Sequence, residues 1–206
     1  MKKSIVVFAS GTGSNFKNIV EKIKAHELNA KVKLLVSNNP NCKAIDYAKK
    51  NIIETFIYNS KRYPNDPNQN ILLQKIKQVN TDLILLAGYM KKISKNIVKN
   101  YKNKILNIHP SLLPKYGGEG FYGIKVHEAV YENKDTKSGA TVHFVDQGYD
   151  TGPILIQKEI NLLLNEKPIK IAEKVLKIEH EIYFNSVRLF CEDKIIWNAD
   201  KPLIKE

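Results

Sequence analysis

The sequence predicts an α/β protein built on a mostly parallel, twisted sheet of about seven strands, with helices on both faces and an antiparallel pair toward the C-terminus. Three observations predict it. Short continuous apolar runs alternate with segments whose apolar residues recur at helical spacing. Gly- and Asn-rich turns separate the two kinds of segment, Gly11-Thr12-Gly13 first and Ser37-Asn38-Asn39-Pro40 next. Late in the chain, two strand-like runs follow each other too closely for a parallel crossover. With 206 residues the chain holds one substantial core, so a single domain over 1–206 is expected.

Each element follows from its residues. Residues 4–9 are a short apolar run and form the first strand, followed by the turn Ser10-Gly11-Thr12-Gly13-Ser14-Asn15. Phe16, Ile19, Val20 and Ile23 then mark a helix. Residues 32–36 form a second strand, 41–50 a short helix and 54–58 a third strand. Leu72, Leu73, Ile76 and Val79 place a helix over 67–79, with Pro67 acceptable in its first turn. Residues 82–87 are a fourth strand and 105–108 a fifth, halted near Pro110 because proline cannot donate to a ladder.

After Pro110 the rhythm changes. A Gly-rich loop over 112–123 leads to a helix near 126–133, then to strands over 140–146 and 154–160 joined by a turn containing Asp150. The longest periodic segment is 169–190, where Ala172, Leu176, Glu179 and Tyr183 form one helical stripe. The tail from Asp193 is too short for a second domain.

Composition narrows the class. Apolar residues make up 43% and charged residues 26%, ordinary for a soluble globular protein. No apolar run approaches the roughly 18–20 residues of a membrane span, and the short apolar N-terminus reads as a strand rather than a signal peptide. Cys42 and Cys191 form no CxxC pair, which fits a reducing cytosol and gives no cysteine zinc site. The net charge of +12 raises nucleic acid as a partner. However, the lysines are scattered and no aromatic–basic repeat exists to stack bases, so none is expected.

Two stretches carry chemistry. Gly11-Thr12-Gly13-Ser14-Asn15 lies between a strand and a helix, where backbone N–H groups converge as in a phosphate site. Phe16 stands where a dinucleotide fingerprint needs a third small residue, and Lys17-Asn18 breaks a Walker pattern. The plainer possibility is a tight turn capped by Ser14 or Asn15. In Asn107-Ile108-His109-Pro110, the spacing of two sends Asn107 and His109 off one face at a strand end. Open α/β sheets keep their chemistry at such ends. Alone, His109 reads first as a buried histidine satisfied by backbone, and Asp150 as a turn aspartate. His26, His127 and His180 have no partner motif and read as surface or packing residues.

Asn107-Ile108-His109-Pro110-Ser111-Leu112-Leu113-Pro114, Thr141-Val142-His143 and Asp150-Thr151-Gly152-Pro153 resemble the formyltransferase family. So do Ser10-Gly11-Thr12-Gly13-Ser14-Asn15, Ala87-Gly88-Tyr89-Met90-Lys91-Lys92-Ile93-Ser94 and Glu179-His180-Glu181-Ile182-Tyr183. The resemblance implies a Rossmann-like formyltransferase fold. Its N-terminal half would bind a ribonucleotide phosphate, and its C-terminal half would bind folate and carry out catalysis. It implies direct transfer of the formyl group of 10-formyltetrahydrofolate to the amine of 5-phosphoribosylglycinamide, in purine (IMP) biosynthesis, with no metal and no NAD.

By resemblance, Asn107 and a protonated His109 donate to the oxyanion of a tetrahedral intermediate. Asp150 raises the His109 pKa, orients the ring and relays protons. Gly11, Thr12, Gly13, Ser14 and Asn15 hold the phosphate, and Glu179 the ribose. Met90, Lys91, Lys92 and Ile93, with Asn107 and Arg62, face the folate. The loop around Arg62 departs from the family pattern, and Tyr116-Gly117-Gly118-Glu119-Gly120-Phe121-Tyr122-Gly123 is longer and richer in glycine than its usual counterpart. The expected partners are small molecules only, with neither nucleic acid nor membrane, in a cytoplasmic monomer or weak homodimer.

Sibling enzymes acting on methionyl-tRNA, on formyltetrahydrofolate with water, or on sugar nucleotides share the Asn–His–Asp set. The first two carry extra domains that this chain is expected to lack, and the third lacks the phosphate turn. A non-catalytic phosphate- or nucleic-acid-binding module is the alternative from another class.

Overall fold

Four apolar strands explain the first half of the molecule. In the computed structural model, which describes residues 1–205, β1 (Lys3–Phe8) has Ile5, Val6, Val7 and Phe8 wholly buried. β4 (Leu83–Leu86) is buried at every position. Continuous apolar runs of this kind belong to parallel strands covered on both faces. β1 pairs in parallel with both β2 (Ala30–Ser37) and β4, and β2 pairs in parallel with β3 (Glu54–Ile57). The connecting helices are α1 (Ser14–Lys24), α2 (Lys43–Lys50) and α3 (Asn70–Gln78), followed by α4 (Lys95–Asn100).

Two of these helices differ from expectation. The 67–79 helix begins only at Asn70, because the Asp66 carboxylate accepts the N–H groups of Asn70 (2.7 Å) and Ile71 (2.9 Å) and caps it there. Pro67 therefore lies outside it. α4 was not expected; it is capped by Ser94, whose hydroxyl accepts from the Ile97 N–H at 3.3 Å.

β5 (Ile105–His109) leads into the second half, which holds α5 (Ile124–Glu132), β6 (Lys137–Phe144), β7 (Ile154–Asn161) and α6 (Pro168–Cys191). β6 and β7 are antiparallel, as expected. The buried side of α6 is Ile171, Val175, Ile182, Tyr183, Ser186 and Val187. Of the expected stripe only Tyr183 is buried, while Ala172, Leu176 and Glu179 are half-exposed. An unexpected hairpin, β8 (Ile195–Asn198) and β9 (Lys201–Ile204), closes the chain and sets Trp197 edge-on to Phe144 at 4.8 Å.

The chain divides into two compact units, Met1–Leu106 and Asn107–Glu206. Its sheet has seven strands in the order β3-β2-β1-β4-β5-β6-β7. This is the mostly parallel arrangement, with an antiparallel C-terminal pair, that the sequence predicts. Among the described residues, no helix is long and apolar enough to cross a membrane.

Candidate active site

The second unit gathers its polar residues at the end of β5. His109 is buried and Asn107 half-buried, both on the face that alternation assigns them. The segment that follows is fixed from β6 and β7. Thr141 Oγ1 donates to the Ser111 carbonyl (2.7 Å) and accepts from the Leu113 N–H (3.2 Å), while Gln157 Nε2 donates to the Leu113 carbonyl (3.0 Å).

The β6–β7 turn delivers Asp150. Asp146 Oδ1 accepts from the Gly148 N–H (2.9 Å) and the Thr151 hydroxyl (2.8 Å), which folds the turn on itself. A Cβ on Gly152 would stand 1.8 Å from the Phe144 carbonyl oxygen, so no other residue fits. Asp150 itself adopts φ +55°, a left-handed conformation that aspartate tolerates better than most residues.

Four groups surround its carboxylate. Asn107 Nδ2 donates to Oδ1 at 3.2 Å, and His143 Nε2 lies 3.5 Å from the same oxygen. The Gly118 N–H donates to Oδ2 at 3.0 Å, and His109 Nδ1 lies 3.5 Å from it. The opposite ring nitrogen, His109 Nε2, donates to the Tyr116 carbonyl at 2.7 Å. A carbonyl can only accept, so Nε2 carries a hydrogen. By the same reasoning His143 Nδ1 carries one, because it meets the Phe144 carbonyl at 3.0 Å. An amide NH2 can only donate, so His143 Nε2 accepts an Asn107 hydrogen, 3.0 Å away.

Burial and charge act in opposite directions here. Burial would raise the Asp150 pKa, yet the neighbouring His143 ring, the proximity of His109 and the Gly118 N–H outweigh it and hold the carboxyl below its usual range. Burial lowers the His109 pKa by more than the Asp150 charge and the Tyr116 carbonyl raise it. Asp150 does favour the cation, as the resemblance implies, but without substrate the desolvation of a nearly enclosed ring exceeds that effect. The resting pair is a carboxylate beside an imidazole with a depressed pKa, able to take up one proton.

Asn107, His109 and Asp150 are thus brought together. His143, Gly118 and the Tyr116 carbonyl complete the cluster and were not singled out from the sequence. His143 stood within a quoted motif, and its spacing of two from Thr141 was the available signal. Backbone groups leave none.

The first unit holds the other expected residues. α1 starts with Gly13 at its N-cap position and no side-chain cap, so neither Ser14 nor Asn15 caps it. Gly13 adopts φ +69°, and a Cβ there would lie 2.7 Å from that of Ala44. Close packing of the turn on α2 is the reason for this glycine. Gly11 and Thr12 are exposed, Ser14 is half-buried and Asn15 is buried. The Ser10 hydroxyl accepts from the Met90 N–H at 2.8 Å, so the turn and the 88–93 segment are stitched together. Met90, Lys91 and Lys92 are exposed, whereas Ile93 is buried and offers no side chain to a ligand. Arg62 is exposed. Glu179 belongs to the second unit, on α6.

Comparison with known proteins agrees over most of the chain. Residues 3–187 match the family model described as formyl transferase. The chain is 42% identical over 207 residues to the chloroplastic phosphoribosylglycinamide formyltransferase of Arabidopsis thaliana, covering 99% of this chain and 71% of that one. It is 37% identical over 182 residues to the phosphoribosylglycinamide formyltransferase of Bacillus subtilis, covering 88% and 91%. Among solved structures, glycinamide ribonucleotide transformylase 1 of Symbiobacterium toebii superposes with a TM-score of 0.92 at 27% identity, covering 100% of this chain and 95% of that one. The corresponding enzyme of Geobacillus kaustophilus gives a TM-score of 0.85 at 35% identity, covering 93% and 100%.

Proposed function

The chain belongs to the formyl transferase family, and from that premise we propose that it moves the formyl group of 10-formyltetrahydrofolate onto the amine of 5-phosphoribosylglycinamide. The product is formylglycinamide ribonucleotide, an intermediate in purine biosynthesis. The observation that carries the proposal is the convergence of Asn107, His109 and Asp150, with His109 Nδ1 3.5 Å and Asn107 Nδ2 3.2 Å from the Asp150 carboxylate.

The amine nitrogen attacks the formyl carbon, a new C–N bond forms and the carbonyl oxygen becomes an oxyanion. Asn107 Nδ2, already held at the strand end, gives up one of its present partners, Asp150 or His143, and turns that amide hydrogen toward the oxygen. The nitrogen that attacked now carries a surplus proton, which passes to the Asp150–His109 pair, directly or through water. Held there, the proton makes His109 cationic beside the Asp150 carboxylate. The positive charge appears when the oxyanion needs it, not before. The proton then moves to the folate nitrogen, the old C–N bond breaks and the pair returns to its resting state. One proton leaves the amine and one reaches the folate, so the enzyme is unchanged.

Gly11, Thr12, Gly13, Ser14 and Asn15 are assigned to the substrate phosphate, which the uncapped positive end of α1 favours. Glu179 is assigned to the ribose. The folate is given to Asn107, to the backbone of Met90, Lys91, Lys92 and Ile93, and to Arg62. Both units serve one reaction, so residues 1–206 act as a single catalytic domain. We place the enzyme in the cytoplasm as a monomer or weak homodimer; the plant relatives are named chloroplastic.

A steady-state assay with glycinamide ribonucleotide and 10-formyltetrahydrofolate, without ATP and with EDTA present, tests the proposal. Formyl transfer is expected under these conditions. No transfer to this acceptor, with transfer to a sugar amine, would overturn the substrate assignment.

A further inference from the structure

We infer that Asp135 is a positioning residue for this reaction: through the Tyr116 hydroxyl it holds the Tyr116 carbonyl against His109 Nε2. The inference rests on the formyl-transfer reading for its chemistry but on separate geometry for its mechanics. Asp135 follows α5 and is not a member of the Asn–His–Asp cluster. Its carboxylate accepts the Tyr116 hydroxyl at 2.8 Å and the Lys115 ammonium at 2.6 and 2.8 Å. At its other end, Tyr116 accepts the His109 Nε2 hydrogen at 2.7 Å. Tyr116 is therefore held at both ends, by a carboxylate on its ring and by a catalytic imidazole on its backbone.

Three further observations show why such a clamp is needed. Tyr116 has φ +56°, a left-handed conformation that a bulky residue keeps only when its surroundings impose it. Packing cannot impose it alone, because Tyr116 and Asp135 line a cavity of about 250 Å³ shared with Lys115, Val130 and Ser138. The side chains that meet the ring are themselves loosely held: Phe121, at 5.9 Å between centroids, is 37% exposed, and Lys115, whose Nζ lies 5.2 Å from the ring centroid, is an exposed surface side chain. Hydrogen bonding must then supply the restraint. Two residues along, the Gly118 N–H donates to Asp150 at 3.0 Å. Fixing Tyr116 thus positions backbone groups on both members of the proton-carrying pair.

The consequence for His109 has a definite sign. The groups acting on it are Asp150 from the β6–β7 turn, His143 from β6, His127 from α5 and the Tyr116 carbonyl. Of these, the carbonyl alone is held by Asp135. A carbonyl accepting from Nε2 favours the cationic ring, so releasing it makes His109 harder to protonate and weakens its hold on the proton in transit.

The test uses the full chain with Tyr116→Phe, Asp135→Leu, their double variant and Asp135→Asn, which still offers an oxygen to the tyrosine hydroxyl. Steady-state kinetics on the substrate pair are read beside an NMR titration of the His109 imidazole without substrate. Tyr116→Phe and Asp135→Leu are each expected to lower kcat about tenfold, the order of one lost hydrogen bond. The double variant should lose no more than either single one, and the ribonucleotide KM should stay within about twofold. In both single variants the His109 midpoint should move to lower pH, whereas Asp135→Asn should stay within about threefold of wild-type kcat. An unmoved His109 midpoint in Tyr116→Phe, or losses that add in the double variant, would overturn the clamp, even with a lowered Tm. If the wild type transfers no formyl group, the assay rejects the reaction while the titration still decides the clamp.

Discussion

At the residue scale, the chemistry depends on which atoms of His109 and Asp150 are already engaged. His109 Nε2 is committed to a carbonyl, so Nδ1, 3.5 Å from Asp150, is the edge left for the proposed proton transfer. Replacing either His109 or Asp150 by Ala should lower kcat by about 10²–10⁴ while leaving ribonucleotide affinity within about threefold, as measured by kinetics and titration calorimetry. Asp150 also has a backbone role that can be separated from the chemical one. At φ +55° asparagine is tolerated nearly as well as aspartate and alanine less well. Asp150→Asn and Asp150→Ala should thus lose similar activity, but the alanine variant should unfold in urea with about 1 kcal/mol less stability. The pairing of Asn107 with His109 was legible because a two-residue spacing fixes a shared face. The parts played by His143 and by the Tyr116 carbonyl were not, since one depends on a tertiary approach and the other on a group every residue possesses.

At the scale of elements, β1 and β4 were the most legible because their apolar runs are buried on both faces and need no partner to be recognised. α4 escaped because six residues with only Ile97 and Val98 buried give no measurable period. The β8–β9 hairpin escaped because Ala199-Asp200 lacks the Asn-Gly signal of a tight turn, although Ala199 takes φ +53°. The turn before α1 was legible as a possible anion site, and the alternative of a cap by Ser14 or Asn15 is not what the structure shows. Gly13 occupies the cap position because only a residue without Cβ fits against Ala44, 2.7 Å from where that atom would lie. Gly13→Val should therefore disrupt the turn and weaken ribonucleotide binding by at least about tenfold, the order of one or two lost phosphate hydrogen bonds. Calorimetry against the ribonucleotide checks this, and unchanged affinity would place the phosphate elsewhere.

At the scale of the molecule, pH acts through histidines before it reaches the carboxylates. His127 is buried on α5, its Nδ1 has no hydrogen-bond partner, and burial followed by the proximity of His109 lowers its pKa from 6.5 to about 4. His109 and His180 are lowered too, each chiefly by burial. The unfolded chain binds these protons first, so stability is complete above pH 6.5 and declines as pH falls toward the folded pKa. Asp150, depressed below 3.8, adds its own loss only in stronger acid. For His127 the decline between 6.5 and about 4 is worth roughly 3 kcal/mol. Urea midpoints at pH 7 and pH 4.5 should diverge in the wild type and diverge much less in His127→Gln. The overall fold was legible at this scale because one alternation of strand and helix runs through most of the chain. The net charge of +12 says nothing about it.

Gly152 bears on how related sequences are compared. With 1.8 Å between a would-be Cβ and the Phe144 carbonyl oxygen, the turn excludes every other side chain whether or not the protein turns over substrate. A homologue that had lost its activity would retain this glycine for as long as it retained the fold. A match at Thr151-Gly152-Pro153 is therefore a diagnostic of ancestry and shape. Asp150 found together with His109 bears instead on the proposed formyl chemistry, and the two should be scored separately when function is assigned by homology.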